Sequence, residues 1–504
     1  MQHAPSAETG RRAGWREWAG LAVLILPTLL VALDIGVLFL ALPHLSADLG
    51  ASGTEQLWIT DVYGFMVAGF LITMGTLGDR VGRRRLLLIG AAAFTAASIL
   101  AAYSTSAEML IVARALLGVA GATLAPSTLA LISNMFRDER QRGVAISFWA
   151  TSQFGGAALG PVVGGLMLEH FWWGSVFLLG VPVMCVLLVA GPLLLPEYRS
   201  PKAGRLDLAS VALSLGTVLP VVYGIKELAA GDAGAPAAGA IAVGLALGVV
   251  FVRRQFRLED PLLNLSLFAL PAIRAALPAM LIASAALAGT GLLSTQYVQS
   301  VIGLGPGEAG LWQAPTGLGI AAGTLLAPLA LRRLKPVTTM VAGLSLSAVA
   351  LLLLVQAGAD SLVPVVVGAA IAAFGVGPLF VLGTGLVVGS APPEKAGSAA
   401  SLSETSNMFG STLGLAVLGS VGAAVYRQQM TGQDAAHETA ARENIATATA
   451  LAERLPAGAG DDLLRAAGEA FTTAVNTVAG VGVVIFVILA VTLRLALRRG
   501  MTDV

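Results

Sequence analysis

Gly78-Asp79-Arg80-Val81-Gly82-Arg83-Arg84-Arg85 is a short knot of charge between two apolar runs, 58–77 and 86–103. Two apolar helices joined by so tight and basic a turn cross something oily and meet again on one side of it. The glycines permit sharp backbone angles. The arginines mark the side of a membrane on which the turn lies. Arginines alone would serve orientation. Gly78, Asp79 and Gly82 are surplus to that task, and with Arg80 and Arg83 they make the turn a candidate gate.

Outward from this turn the chain of 504 residues is 56% hydrophobic and only 12% charged. Its mean hydropathy is +0.82. Soluble domains carry about twice that charge fraction. The excess of apolar residues is too large for soluble cores, so the sequence predicts an all-α, multi-pass integral membrane protein. The net charge of +1 gives no sign of a nucleic-acid partner. Cys185 is the one cysteine, which excludes an intramolecular disulfide and a cysteine-built metal site; it reads as a small buried apolar residue. The polar start, 1–18, carries Arg11, Arg12 and Arg16. The run that follows is too long for the apolar core of a signal peptide, so it reads as a retained first helix behind a cytoplasmic N-terminus.

A bilayer core needs about 20 apolar residues per helix. Such runs lie near 19–42, 57–77, 86–104, 108–132, 143–168, 172–195, 207–228, 235–252, 275–299, 309–331, 337–356, 362–389, 398–425 and 472–495. This predicts fourteen membrane helices. The basic residues test the count. Arg80 to Arg85, Arg137 to Arg142, Arg199 to Arg205, Arg253 to Arg274, Arg332 to Lys335, Lys395 and Arg494 to Arg499 all share the parity of the N-terminus. The opposite parity holds only Lys226, Arg427, Arg442, Arg454 and Arg465. This bias puts both termini in the cytoplasm. It also groups the chain as a six-helix unit over 19–200, an inserted pair over 201–262 and a second six-helix unit over 263–504. The segment 426–470 is an outside loop, expected to form a helical hairpin with arms at 435–454 and 461–470.

Four charges lie inside apolar runs: Asp34, Asp61, Arg114 and Glu404. Each costs about 2.5–3.5 kcal/mol at a helix centre on insertion scales, so each calls for a reason. The structural reason for Arg114 is a pair, with Asp34 or with backbone carbonyls. The functional reason is proton coupling, and the two are compatible, because a carboxylate beside an arginine changes its proton affinity when contact or hydration changes. Asp34 has no basic partner on its own helix. Asp61 is nearer a helix end, where a wetted carboxylate is equally well accommodated. Glu404 has Ser403 and Asn407 as its nearest expected partners.

Acids without adjacent cations in a greasy setting suit a lipophilic cation. Trp58, Tyr63, Trp149, Phe154, Tyr297 and Trp312 offer ring faces to such a ligand, and Met66, Gln153 and Gln296 add adaptable or polar contacts. Interhelical packing or an interfacial belt accounts for the same residue types. Trp172 and Trp173 read as belt residues only. Gly156, Gly160 and Gly164 recur every four residues and make one flat stripe for close helix approach. Pro161 and Gly165 add a bendable segment beside it. The histidines are scattered, and there is no phosphate-binding loop, so no catalytic or ATP-driven chemistry is implied.

The turn at Gly78–Arg85 resembles the signature motif of the major facilitator superfamily. Arg114 with Gly118 resembles its helix-4 motif, although Leu117 stands where glutamine is usual. Gly156–Gly165 is similar to the motif of its antiporters. Leu33-Asp34-Ile35 with Ala41-Leu42-Pro43 resembles the first helix of the fourteen-helix drug:proton antiporter family. The resemblance implies two six-helix bundles plus two extra helices working by alternating access. It implies a monomer in a bacterial-type inner membrane that exports lipophilic cations, such as dyes, quaternary ammonium compounds and fluoroquinolones. The drive is the proton gradient, with no cofactor and no enzymatic step. Asp34, Asp61 and Glu404 then fall at positions for cation recognition or protonation, with Arg114 assisting. An exporter of an endogenous metabolite, lipid or polyamine on the same scaffold is the alternative; a non-transporting membrane sensor is the alternative of another class.

Overall fold

The computed structural model describes residues 13–51, 53–199, 207–230, 234–258, 261, 268–391, 396–431, 441, 445–452 and 454–499. Among the described residues there is no β-strand. The helices are α1 (Trp15–Leu49), α2 (Gly53–Val81), α3 (Arg83–Ala102), α4 (Ala107–Gly121), α5 (Leu124–Met135), α6 (Glu139–His170), α7 (Ser175–Leu178) and α8 (Gly180–Leu194). They continue with α9 (Leu208–Ala230), α10 (Ala235–Gln255), α11 (Pro271–Gln296), α12 (Pro306–Ala330), α13 (Pro336–Val355), α14 (Leu362–Ser390) and α15 (Ala396–Gln429). The last two are α16 (Ile445–Ala452) and α17 (Ala457–Arg499).

Each of the fourteen expected runs coincides with one long helix or with a consecutive pair, α4–α5 and α7–α8. Twelve helical stretches among the described residues are apolar and long enough to cross a membrane. The other two long helices, α6 and α12, pack against each other. An all-helical membrane architecture follows, compatible with fourteen crossings. Local chemistry sets several helix starts. Ser106 accepts from Met109 N–H at 3.2 Å and Asp138 from Gln141 N–H at 2.9 Å. Proline opens α10, α11, α12 and α13, where its missing N–H costs nothing.

Two packed groups dominate. In the first, α1 packs on α6 and α8, α2 on α4, and α3 on α4 and α8; its core includes Leu24, Leu87, Phe136 and Trp149. In the second, α11 packs on α15 and α17 and α14 on α12 and α13, around Met280, Leu344, Leu379 and Phe486. Ile89, Val189, Val249 and Val484 point outward, as lipid-facing side chains do. Cys185 is also exposed, on the same outward surface of α8, and so is not the buried residue its apolar neighbours predict.

The glycine stripe of α6 finds its partner in α1. A Cβ on Gly156 would run into the Leu29 carbonyl oxygen and Ala32, and one on Gly164 would meet Val37 at 3.0 Å. Gly155, one residue along, faces open space. Gly156→Ala is therefore expected to cost about 1–3 kcal/mol by overpacking, read as a lowered Tm of the detergent-solubilised protein, with Gly155→Ala unchanged. Equal Tm values for the two variants would mean that α1 and α6 are not in backbone contact.

Three features refine the sequence reading. In the inserted pair α9–α10, α9 lies across the seam between the groups, touching both α2 and α15. Val218 and Val222 pack on Phe65 and Ala68, with Met408 and Phe409 alongside. The signature turn is also hardly a loop: α2 runs to Val81, α3 starts at Arg83, and Gly82 alone lies between them. Finally, 461–470 is not a separate hairpin arm. It forms the first turns of α17, because nothing after Gly460 stops an Ala- and Leu-rich helix from propagating. α16 packs back on α17. The rest of the expected hairpin, at 432–440, 442–444 and 453, lies outside the described residues, as do 1–12.

Candidate proton-coupling and gating sites

One end of the bundle carries the arginine turn and is called here the basic end. Gly82 has φ 119°, a conformation that side chains other than glycine rarely adopt. A Cβ there would also stand 2.6 Å from Glu197 Oε1. Glu197 needs that space. It accepts from the N–H groups of Arg84 at 3.1 Å and Arg85 at 3.2 Å, so a carboxylate closes the start of α3. Arg83, fully buried, folds back over Gly78 and donates from Nε to Asp79 Oδ1 at 2.8 Å. A side chain on Gly78 would fill the space its guanidinium occupies. Asp79 also accepts from Ser398 Oγ at 3.3 Å, at the start of α15. The glycines thus hold an ion pair in place, and the pair reaches across the seam. Arg80 sits in the last turn of α2. Contacts of α5 with α15 and of α6 with α14 accompany this one, so the two groups are closed together at the basic end.

The second site joins α1, α2 and α4. Arg114 is 1% exposed. Its Nη1 donates to Asp34 Oδ2 at 2.6 Å and its Nε to the Ile59 carbonyl at 3.1 Å. The Tyr63 ring lies 4.7 Å from the guanidinium carbon, a cation–π contact. Gly118 makes this possible, because a Cβ there would collide with Met66 Cβ at 2.7 Å and hold α2 away. Asp34, with 12% of its side chain exposed, is the accessible member of the pair. Removing its charge by protonation leaves a buried cation short of its counter-ion, which favours rearrangement or hydration.

The third site lies on the seam. Glu404 is buried on α15, and neither Ser403 nor Asn407 is its partner. Gln153 of α6 donates from Nε2 to Glu404 Oε2 at 3.2 Å, while Oε1 is buried with no hydrogen-bond partner. Two residues earlier on α6, the Thr151 hydroxyl lies 2.9 Å from that of Thr324 on α12. These links join the two groups within the helical layer, and Glu404 is the acid among them.

The remaining expected residues divide. Tyr63 and Met66 lie beside Arg114, and Gln153 beside Glu404. Trp149 is buried and donates to Thr128 Oγ1 at 3.0 Å, a packing role. Tyr297, also buried, donates to the Gly358 carbonyl at 2.5 Å and accepts from Ser361 N–H at 2.9 Å. It thereby pins the turn before α14, and it opens a π-helical turn, Tyr297–Val301, at the end of α11. Trp58, Gln296 and Trp312 are exposed. Trp173 is buried and donates to Asp48 at 2.7 Å, so it is not a belt residue; Trp172 stays exposed. Asp61, Phe154, Pro161 and Gly165 belong to helices, but their side-chain surroundings lie outside the described residues.

The chain is 42% identical over 492 residues to the multidrug efflux pump LfrA of Mycolicibacterium smegmatis, covering 97% of this chain and 98% of that protein. It is 34% identical over 476 residues to the methyl viologen resistance protein SmvA of Salmonella typhimurium, covering 91% and 93%. In fold it is similar to the crystal structure of the human organic anion transporter MFSD10, with a TM-score of 0.61 at 17% identity, covering 93% of this chain and 99% of that one. Residues 24–415 match the family description Major Facilitator Superfamily, the match takes in all three sites, and the chain belongs to that superfamily of membrane transporters.

Proposed function

We propose that this transporter exports lipophilic cationic compounds, including dyes, quaternary ammonium compounds and fluoroquinolones, in exchange for protons. The observation that carries the reading is a pair of acids held inside the helical layer, Asp34 against Arg114 and Glu404 on the seam. The names of the relatives support the substrate class, since methyl viologen is itself a quaternary dication. The basic end faces the cytoplasm of a bacterial-type inner membrane, a reading that the distribution of arginines and lysines supports. Both termini lie on that side, and the protein works as a monomer.

In the transport cycle, two bundles rock about the seam. A cation reaching the acids from the cytoplasm or inner leaflet displaces protons from them. Closure at Asp79, Arg83 and Ser398 then seals the cytoplasmic side, and protons from outside release the cation and reload the acids. Protonated Glu404 keeps the Gln153 hydrogen bond through either oxygen, so its charge can change without unlocking the seam. Glu404→Gln preserves shape and the link to Gln153 but cannot hold a negative charge. We expect it to lose transport of divalent cations such as methyl viologen while retaining monovalent ethidium, measured as efflux from energised membrane vesicles. Equal retention of both would remove Glu404 from cation recognition.

A further inference from the structure

We infer that the cleft among the basic ends of α1, α3, α5 and α8 binds the phosphate headgroup of an anionic membrane lipid. The cleft has a volume of about 490 Å³, and Arg16, Arg84, Arg137 and Asn134 line it. Topology requires only that arginines lie on one side of the membrane. It does not require three of them, from distant parts of the chain, to converge on one cavity.

The donors in this cleft outnumber its acceptors. Arg84 donates from Nη1 to the Leu195 carbonyl at 3.1 Å, pairs through Nε with Glu197 at 3.6 Å, and so builds the wall beside α8, which leaves Arg16 and Arg137 as the free cations among the described residues of the lining. Arg16 and Arg137 are exposed and form no ion pair among the described residues. Glu17 is the acid in the lining, and one of its oxygens already accepts from Gly14 N–H at 2.7 Å. Guanidinium groups converging on one space ask for an anion rich in acceptor oxygens, and a phosphate supplies them.

The apolar surroundings favour a lipid over a free phosphate. Leu193 lines the cleft and is 75% exposed, and Val189, a turn earlier on α8, is 71% exposed. Trp15 is 73% exposed at the start of α1, in the position of an interfacial anchor. Acyl chains lying along α8 would cover these side chains while the headgroup enters the cleft. The bound lipid would tie four helix ends of one bundle together.

Native mass spectrometry of the full-length protein in detergent tests this, with phosphatidylglycerol and phosphatidylcholine titrated in parallel and inorganic phosphate as a third arm. Phosphatidylglycerol should be retained in preference to phosphatidylcholine. Arg16→Gln and Arg137→Gln should each lower that retention about fivefold. Both side chains are exposed, so folding is preserved, and an unchanged Tm confirms it. The double variant Arg332→Gln, Arg333→Gln, in the basic turn of the other bundle, should retain phosphatidylglycerol as the unsubstituted protein does. Equal retention of the two lipids, or equal loss in that control, overturns the site in favour of a diffuse basic surface. Binding of inorganic phosphate with no preference for phosphatidylglycerol overturns the assignment to a lipid.

Discussion

Asp34→Asn is expected to reduce proton-driven dye efflux to the level of vesicles without transporter, while the protein still reaches the membrane. The asparagine keeps the shape of Asp34 and can still accept one hydrogen bond from Arg114 Nη1, but it holds neither the charge nor the exchangeable proton. The double variant separates coupling from folding. Arg114 is held on three sides, by Asp34, the Ile59 carbonyl and the Tyr63 ring. Arg114→Met leaves Asp34 as a carboxylate without its counter-ion, and breaking such a pair costs about 3–5 kcal/mol. Arg114→Met should therefore lower the Tm as well as transport. Asp34→Asn combined with Arg114→Met should recover most of that stability and none of the transport. Efflux by the double variant at the level of the unsubstituted protein would show that the pair is structural only.

Asp79→Asn is expected to open the basic end. Arg83 is fully buried, and Asp79 is its carboxylate partner in the ion pair. The neutral variant strands that cation at a cost of about 3–5 kcal/mol. Part of that cost falls on the closed arrangement, where Asp79 also accepts from Ser398 across the seam. Ala400 on α15 is fully buried against the core of the first group, so a cysteine at that position reports the opening. The exposed Cys185 must first be replaced by serine to silence the background. In Asp79→Asn, labelling of the Ala400→Cys site from the basic side should rise at least about tenfold. Ser398→Ala removes one neutral-donor hydrogen bond, worth about 1 kcal/mol, and should give a smaller rise. Unchanged labelling in Asp79→Asn would reduce the motif to a marker of topology.

Much of this architecture is legible in the chain, because a membrane permits so few solutions. Runs of about 20 apolar residues must be helices when no water satisfies the backbone. The Asp34–Arg114 pair is legible for a related reason, since two opposite charges in apolar runs have few other places to go. The partner of Glu404 is not. Gln153 is 251 positions away, and it is one polar residue among several on α6. Nothing in the local pattern of α15 distinguishes it from Asn407, one helical turn from Glu404. The placement of α9 over the seam is hidden for another reason: Val218 and Val222 would look the same facing lipid or facing Phe65. Aromatic residues mislead in the opposite direction. Trp149 and Tyr297 offer faces to a ligand on paper, but their polar tips are already bonded within the protein. The turn at Gly78–Arg85 needed the side chains in space, because the role of Gly78 is to make room for an arginine five residues later.

The central claim is that acids inside the membrane exchange protons for a lipophilic cation. Reconstituted liposomes containing the purified full-length protein test it most directly, with ethidium transport and lumenal pH followed together. Ethidium should move against its own gradient only when a proton gradient is imposed in the opposite direction, and each movement should carry a matching pH change that Asp34→Asn abolishes. Ethidium movement that is equal with and without the gradient, with no pH signal, would contradict the account.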